Sequence, residues 1–286
     1  MTSTLIGLYR GLEADKYHAD PAVSNSMLSA MDKSPAHCWA LYLDPNRPER
    51  KATPSMLAGT LAHTAILEPE QFGARYIVKP DGMSFASKEG KAWRDAVEPG
   101  VQIIDGDQHA TALAQREAVM AHPLLRELLD LPTLDAEVSC FWVDEATGLR
   151  CKARPDALKK AGSRSVIAAD VKTTADMTLP GIERAIATWG YHRQDAHYTN
   201  ALQACGMRVE QFVFAFVSAS YPFIAAAVVL DDETRAQGAD EVAELLGRFA
   251  ECKKTNHWPA FGYGANVIGL PRWAKRSQEV EISFVE

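Results

Sequence analysis

The sequence has no cysteine pattern. Its five cysteines, Cys38, Cys140, Cys151, Cys205 and Cys252, are scattered and form no C-x-x-C pair. An odd, unspaced set argues against a disulfide framework and against a zinc or iron–sulfur site, and it predicts free, mostly packed thiols in a reducing cytosol. The opening residues MTSTLIGLYRGLEADKYH lack a basic stretch followed by an apolar one, so no signal peptide is expected. The most apolar run, Phe212–Leu230, is interrupted by Ser218, Ser220 and Pro222. It predicts two β-strands joined by a turn, not a membrane span. A cytoplasmic protein with no membrane partner follows as the expectation. An excess of positive charge is also missing. Thirty basic and 37 acidic residues leave a formal charge of −7, which argues against nonspecific coating of nucleic acid. With no internal repeat, low-complexity tract or strong linker, residues 1–286 read as one domain, with an arm at 1–23 and an irregular tail at 257–286.

What is present is an ordinary globular composition, 47% hydrophobic and 23% charged, in a chain long enough to bury a sizeable core. The informative stretch runs from Ala136 to Lys172. It reads as three antiparallel strands: Ala136–Val143, Leu149–Leu158 and Ser165–Lys172, separated by turn clusters at Asp144–Gly148 and Lys159–Arg164. If the second turn is centred near residue 163, facing residues sum to about 326, which pairs Asp156 with Asp170. If the first is centred between Ala146 and Thr147, they sum to about 293, which pairs Glu137 with Asp156. Side chains two apart share a face, so Lys172 joins Asp170. A slip of one residue would undo the cluster.

Three carboxylates and one ammonium on one sheet face suit a divalent cation. Oxygen ligands favour Mg²⁺, or Mn²⁺, over Zn²⁺. The lysine is the one side chain of the four able to stabilise an anion or orient a water, which fits metal-assisted phosphodiester hydrolysis. A solvated surface hairpin is the plain alternative. From Arg150 to Lys172 seven basic residues face two acidic ones, so positive charge is concentrated near this stretch despite the negative total.

Elsewhere, Ser24-Asn-Ser26 precedes a helix with Leu28, Met31, Trp39 and Leu41 as apolar positions, and its N-terminus could hold a phosphate or be an ordinary cap. Met56–Leu67 predicts an apolar helix stopped at Pro69, with His63 its sole imidazole. Lys88, Lys91 and Arg94 fall within two turns beside Trp93, a basic face for a DNA backbone or simply for solvent. Asp107–Leu129 predicts one long amphipathic helix packed through Leu113, Val119, Met120, Leu124, Leu125 and Leu128. Gln194 and Tyr198 are spaced i,i+4 on another helix, where an amide and a phenol could hydrogen-bond phosphate oxygens without adding charge. Arg272, Lys275 and Arg276 with Trp273 form a basic patch suited to DNA, to a neighbouring subunit or to solvent.

Arg154-Pro155-Asp156, thirteen residues, then Asp170-Val171-Lys172 resembles the PD-(D/E)XK nuclease signature. Gly59…His63 resembles the G-x-x-x-H helix, and Gln194…Tyr198 the Q-x-x-x-Y helix, of RecB- and RecE-type nucleases. The segment from Tyr17 to Pro45 resembles the start of a RecE-type (exodeoxyribonuclease VIII) nuclease domain of phage or prophage. The ordered set covers about Tyr17 to Tyr263. This resemblance implies an α/β restriction-endonuclease-like core, a central mixed β-sheet flanked by helices. It implies a Mg²⁺-dependent exonuclease degrading linear double-stranded DNA, 5′ to 3′, to leave 3′ tails for recombination. It further implies a ring-shaped homo-oligomer and a single-strand annealing partner.

On that reading Asp156, Asp170 and His63 hold metal, and ligand count with the general scheme suggests two ions. Glu137 joins through the second ion or a water. Lys172 positions the attacking water, and Gln194 and Tyr198 hold nucleophile or phosphate. Ser24, Ser26, Lys88, Lys91, Arg94, Arg154 and Arg193 contact DNA. An endonuclease or single-strand nuclease on the same fold, or a non-catalytic DNA-end-binding protein, remain the alternatives.

Overall fold

The computed structural model describes residues 5–49, 51–129, 134–260, 265 and 267–270. In chain order the elements are β1 (Gly7–Tyr9), α1 (Ala14–Ala19), α2 (Asn25–Lys33), α3 (Pro35–Cys38), α4 (Pro54–Leu67), α5 (Pro69–Arg75), β2 (Tyr76–Val78), α6 (Lys88–Asp95), β3 (Gln102–Ile104), α7 (Gly106–Ala121) and α8 (Pro123–Leu128). There follow β4 (Leu134–Ala136), β5 (Ser139–Val143), β6 (Arg150–Ala153), β7 (Ala157–Lys160), β8 (Ser165–Thr174), α9 (Leu179–Trp189), α10 (Tyr191–Ala204), β9 (Arg208–Ser218), β10 (Ala225–Val228) and α11 (Asp232–Thr255).

The central sheet has strand order β10-β9-β8-β7-β4. It is mixed, because β8 and β9 run parallel while the other neighbours are antiparallel. The parallel step needs a crossover, which α9 and α10 supply. Alternation along β8 and β9 sends side chains to two helical layers. Ala169, Val171, Val213, Ala215 and Val217 pack with Ile66 and Leu67 of α4, Val119 of α7 and Leu125 of α8. Val166, Ala168, Phe212, Phe214 and Phe216 pack with α2, α10 and α11 through Leu28, Met31, Ala201, Leu202, Val242, Leu245, Leu246 and Phe249. Buried on both faces, Phe212–Val217 is the continuous apolar run a central strand requires. This is the expected α/β plan. Among the described residues no helix is long and apolar enough to cross a membrane.

The hairpin sums hold. Phe141 pairs with Lys152 and Trp142 with Cys151, and Ala157 pairs with Ala169 and Leu158 with Ala168. The expected strands, however, are not continuous. Leu149–Leu158 is cut at Arg154-Pro155-Asp156, and Ala136–Val143 is cut at Glu137-Val138. Pro155 cannot donate to a ladder, and Glu137 sits at φ 52°, a left-handed conformation costly to a side-chain-bearing residue. The two breaks face each other, and the Glu137 N–H still donates to the Asp156 carbonyl at 2.9 Å. There the hairpin leaves the central sheet and forms a second one, β1-β5-β6.

That second sheet corrects the expected basic lining. Arg150, Lys152 and Arg154 share one face of β6 and its extension, and the N-terminal arm covers it. Arg150 pairs with Asp20 at 2.6 Å and donates to the Leu5 carbonyl. Lys152 Nζ donates to the carbonyls of Tyr17 and Asp20, each at 2.7 Å. The Arg154 guanidinium lies 5.4 Å from the Tyr17 ring centre. The arm is therefore a strand and a helix tied to the body.

Other expectations also shift. The helix after Ser24 stops at Lys33, because Ser34 begins a new cap, and Leu41 is exposed. The long helix breaks at His122-Pro123, where proline ends the hydrogen-bond ladder, and the resulting change of direction leaves Leu124 exposed, as is Leu113. The start of the tail does pack back: Trp258 contacts Phe249 and Trp39, and the Pro259 carbonyl accepts from Ala36 N–H. Arg272, Trp273, Lys275 and Arg276 lie outside the described residues.

Replacing Lys152 by Met keeps the aliphatic stem but removes the ammonium from the carbonyls of Tyr17, Asp20 and, at 3.4 Å, His18. The expected loss is about 2 kcal/mol in urea unfolding, with faster proteolysis inside residues 5–23. An arm no more protease-sensitive than wild type would show that Lys152 does not hold it.

Candidate active site

Both strand breaks open onto one place. Asp156 leads into β7 and Asp170 stands mid-β8, one step beyond the Ala157–Ala169 pair. Helix α4 reaches the same point with His63. Thr53 caps it, Pro54 starts it, and the His63 Nδ1–H donates to the Gly59 carbonyl at 2.8 Å, which leaves Nε2 pointing at Asp156 Oδ2, 3.1 Å away. Ligand atoms of His63, Asp156 and Asp170 all lie within 4.8 Å of one another. Two carboxylate oxygens and one imidazole nitrogen converging at that distance fit a divalent cation held by hard donors.

Asp156 and Asp170 are each tied to further groups. Asp170 is 2% exposed. One of its oxygens meets the Lys172 ammonium and the other accepts from Gln194 Nε2 at 2.5 Å. Asp156 Oδ2 accepts from the Val171 N–H at 2.8 Å. The electrostatics split the two acids. Burial and the Asp156 charge push Asp170 above the ordinary carboxylate range. Asp156 is held below it, because His63 and Lys172 outweigh the cost of its burial. Burial also works against the His63 and Lys172 cations, but the aspartates outweigh it, raising Lys172 and taking His63 up to about 9.

Glu137 stands apart from the triad. Its Oε2 pairs with Arg154 Nε at 2.5 Å, while burial and the Asp156 charge push its carboxyl up to about 7. Glu137 and Arg154 separate two cavities. One, of about 750 Å³, is lined by Asp156, Tyr198, Ser24, Ser26, Lys152, Tyr17, Tyr42 and Arg47 among others. The other, of about 460 Å³, reaches His63, Thr60, Glu68 and Arg75. Arg154 lines both, while its Nη1 is buried with no hydrogen-bond partner.

The fold thus gathers Glu137, Asp156, Asp170, Lys172, His63, Gln194, Tyr198, Arg154, Ser24 and Ser26. Ser24 caps α2, accepting from Met27 N–H at 3.4 Å. Two expectations, at Gln194 and Arg193, need correcting. Gln194 is committed to Asp170 and orients that carboxylate instead of facing a nucleophile. Arg193 is buried, bridging Glu241 at 2.7 Å and Asp32 at 3.1 Å, because its place on α10 faces α11 and α2. Lys88, Lys91 and Arg94 are exposed on α6, line neither cavity, and Arg94 pairs with Asp95. Tyr17, Lys152 and Tyr191 are the neighbours that sequence reasoning missed. Lys152 was visible as the residue two before Arg154, and Tyr191 as the residue one turn before Gln194. Nothing local marked Tyr17.

Residues 24–268 match the family described as the PDDEXK-like domain of unknown function (DUF3799). The chain belongs to that family. Its fold is accordingly the PD-(D/E)XK fold, and the matched span contains every site residue named above except Tyr17. No curated protein matches the sequence. Among solved structures, a "Putative exonuclease" from Eubacterium rectale aligns at TM-score 0.60 and 12% identity, over 87% of this chain and 88% of that one, a likeness of fold. SSO0001 aligns at TM-score 0.27 and 15% identity over 71% and 92%. VC1899 from Vibrio cholerae aligns at 0.25 and 13% over 87% and 59%. The last two are too distant to bear on this PDDEXK-like chain.

Ligation through Nε2 requires the His63 proton to leave, and that proton stays on up to about pH 9 in the metal-free site. Mn²⁺ uptake at pH 7.5 is therefore expected to release close to one proton, and affinity to rise with pH until the imidazole is neutral. Calorimetry in buffers of differing ionisation enthalpy reads this directly. Heats that do not depend on the buffer would remove His63 from the ligand set.

Proposed function

We propose that this PDDEXK-like protein is a divalent-metal-dependent deoxyribonuclease. We take it to act as an exonuclease on linear double-stranded DNA, 5′ to 3′, leaving 3′ single-stranded tails for recombination. The observation that carries the reading is the convergence of His63, Asp156 and Asp170 with the Lys172 ammonium against Asp170. His63, Asp156 and Asp170 would hold Mg²⁺ or Mn²⁺, with Glu137, which feels the Asp156 charge, a further carboxylate for a second ion. When bound, such a cation supplies Lewis acidity to the phosphoryl oxygen and lowers the pKa of a water.

The chain's own groups divide the remaining work. Lys172 orients the attacking water and offsets the negative charge that develops on phosphorus oxygens. Gln194 keeps Asp170 turned toward the centre. Glu137, with a carboxyl near neutrality, can hold a proton at Oε1 or Oε2 close to the reacting group. Arg154 Nη1, buried and unpaired, suits a phosphate oxygen of the bound strand. Ser24, Ser26 and Tyr198 supply neutral donors along the larger cavity.

Action at ends comes from the RecE-type resemblance, and the larger cavity, lined by residues of α1 and of the start of α2, is where a strand would enter. The 5′-to-3′ direction, a phage or prophage origin, a ring-shaped homo-oligomer, a single-strand annealing partner and a single-domain unit working in the cytoplasm come from the RecE-type resemblance.

The test is linear duplex DNA labelled separately at its 5′ and 3′ ends, beside a closed circle, with Mg²⁺ or EDTA. Early release of 5′ label from linear DNA alone is expected, falling to background with EDTA and in Asp170→Ala. Gln194→Ala should lose about 10- to 100-fold, as expected for a group that orients a ligand. Cutting of the circle would make the protein an endonuclease. No metal-dependent cleavage of any substrate would leave a DNA-end-binding protein on a nuclease fold.

A further inference from the structure

Lys172 has a second neighbour of a different kind. Its Nζ lies 4.6 Å from the centre of the Tyr191 ring. That ring is itself held in place. It stacks on Phe214 at 5.6 Å and 27° between planes, and meets Phe216 at 6.0 Å. Phe214 and Phe216 are the β9 partners of Asp170 and Lys172 in the parallel register, so the sheet that carries the lysine also carries the ring's support.

The backbone restricts the ring further. Tyr191 opens α10 immediately after Gly190, whose φ of 66° makes the turn out of α9. A Cβ at 190 would stand 2.3 Å from Arg193 Nη2 and would have to push that guanidinium off Glu241 and Asp32. Tyr191, Gln194 and Tyr198 are spaced three and four apart, on one face of the helix. One helical face thus meets both charged members of the pair: Gln194 bonds the Asp170 carboxylate and Tyr191 faces the Lys172 ammonium.

A lysine has four rotatable side-chain bonds. Held by Asp170 alone, its ammonium would follow that carboxylate wherever its oxygens turn. The negative face of an aromatic ring attracts a cation from a different direction. We propose that Tyr191 is a positioning residue whose π face seats the Lys172 ammonium, so that the cation keeps its place when the Asp170 oxygens turn toward a metal ion. The effect on catalysis rests on the nuclease reading above, while the seat itself does not.

Two measurements separate these. In protein labelled with ¹³C-lysine, the ε-methylene protons of Lys172, assigned by their loss in Lys172→Arg, should lie upfield of the other lysines through the ring current. They should stay there in Tyr191→Phe and move back among the others in Tyr191→Leu. A Lys172 signal that is unshifted in wild type, or unmoved in Tyr191→Leu, overturns the proposal whether or not the protein cleaves DNA. On linear duplex DNA with Mg²⁺, Tyr191→Leu should lower kcat roughly 10-fold, the scale of a desolvated cation–π contact, with KM within about twofold. Tyr191→Phe should remain within about threefold of wild type. Equal losses in both variants, or a loss in KM alone, would also overturn it. If Tyr191→Leu does not fold, judged by circular dichroism, Tyr191→Met fills the space without a π face and serves the same comparison. A wild type that cleaves nothing defeats the nuclease reading, and the lysine spectra still decide the seat.

Discussion

A buried carboxylate is the constraint on which the rest depends. Asp170 is 2% exposed in the middle strand of the central sheet, next to a second acid, Asp156. Unpaired charge at such depth costs several kcal/mol and would be shed by protonation. The surroundings read as the means of keeping it: Lys172 two residues along the same face, Gln194 from the crossover helix, and His63 neutralising the partner acid. Each comes from a different element, so the site cannot form before the sheet, α4 and α10 have docked.

The same residues explain why the hairpin breaks. A continuous β6–β7 strand would pair all its backbone and present its side chains to a flat face. Pro155 removes a donor, and Glu137 takes a left-handed conformation opposite it. The kink turns the upper hairpin into a separate sheet and leaves Arg154, Asp156 and Glu137 around the gap. Strain at Glu137 is thus found where the chemistry is expected, beside a carboxylate that is itself pushed toward neutrality.

Charge is distributed by need. The basic residues concentrated between Arg150 and Lys172 are not a uniform DNA-facing surface. Arg150 and Lys152 anchor the arm, Arg154 is shared between Glu137 and the Tyr17 ring, and Lys172 serves Asp170. Arg193, a basic neighbour of the glutamine motif, ties α10 to α11 and α2. A net charge of −7 is compatible with a DNA enzyme when the cations that matter are few and local.

The sequence by itself determined the hairpin registers, because turn residues are local and strand alternation has a period of two. With the registers came the pairing of Asp156 with Asp170 and of Glu137 with Asp156. It also determined the apolar β9 run and the His63 helix with its stop before Pro69. Only the tertiary structure decided which polar residues are free. Arg193 and Gln194 are neighbouring polar residues on one helix, yet one faces α11 and the other faces β8. Only the docked fold could bring Tyr17 and Tyr191 against Arg154 and Lys172, across 137 and 19 residues of chain. Local pattern reports what a residue's own element does with it. Burial and partnership depend on the elements that pack against it, and those are chosen by the whole chain.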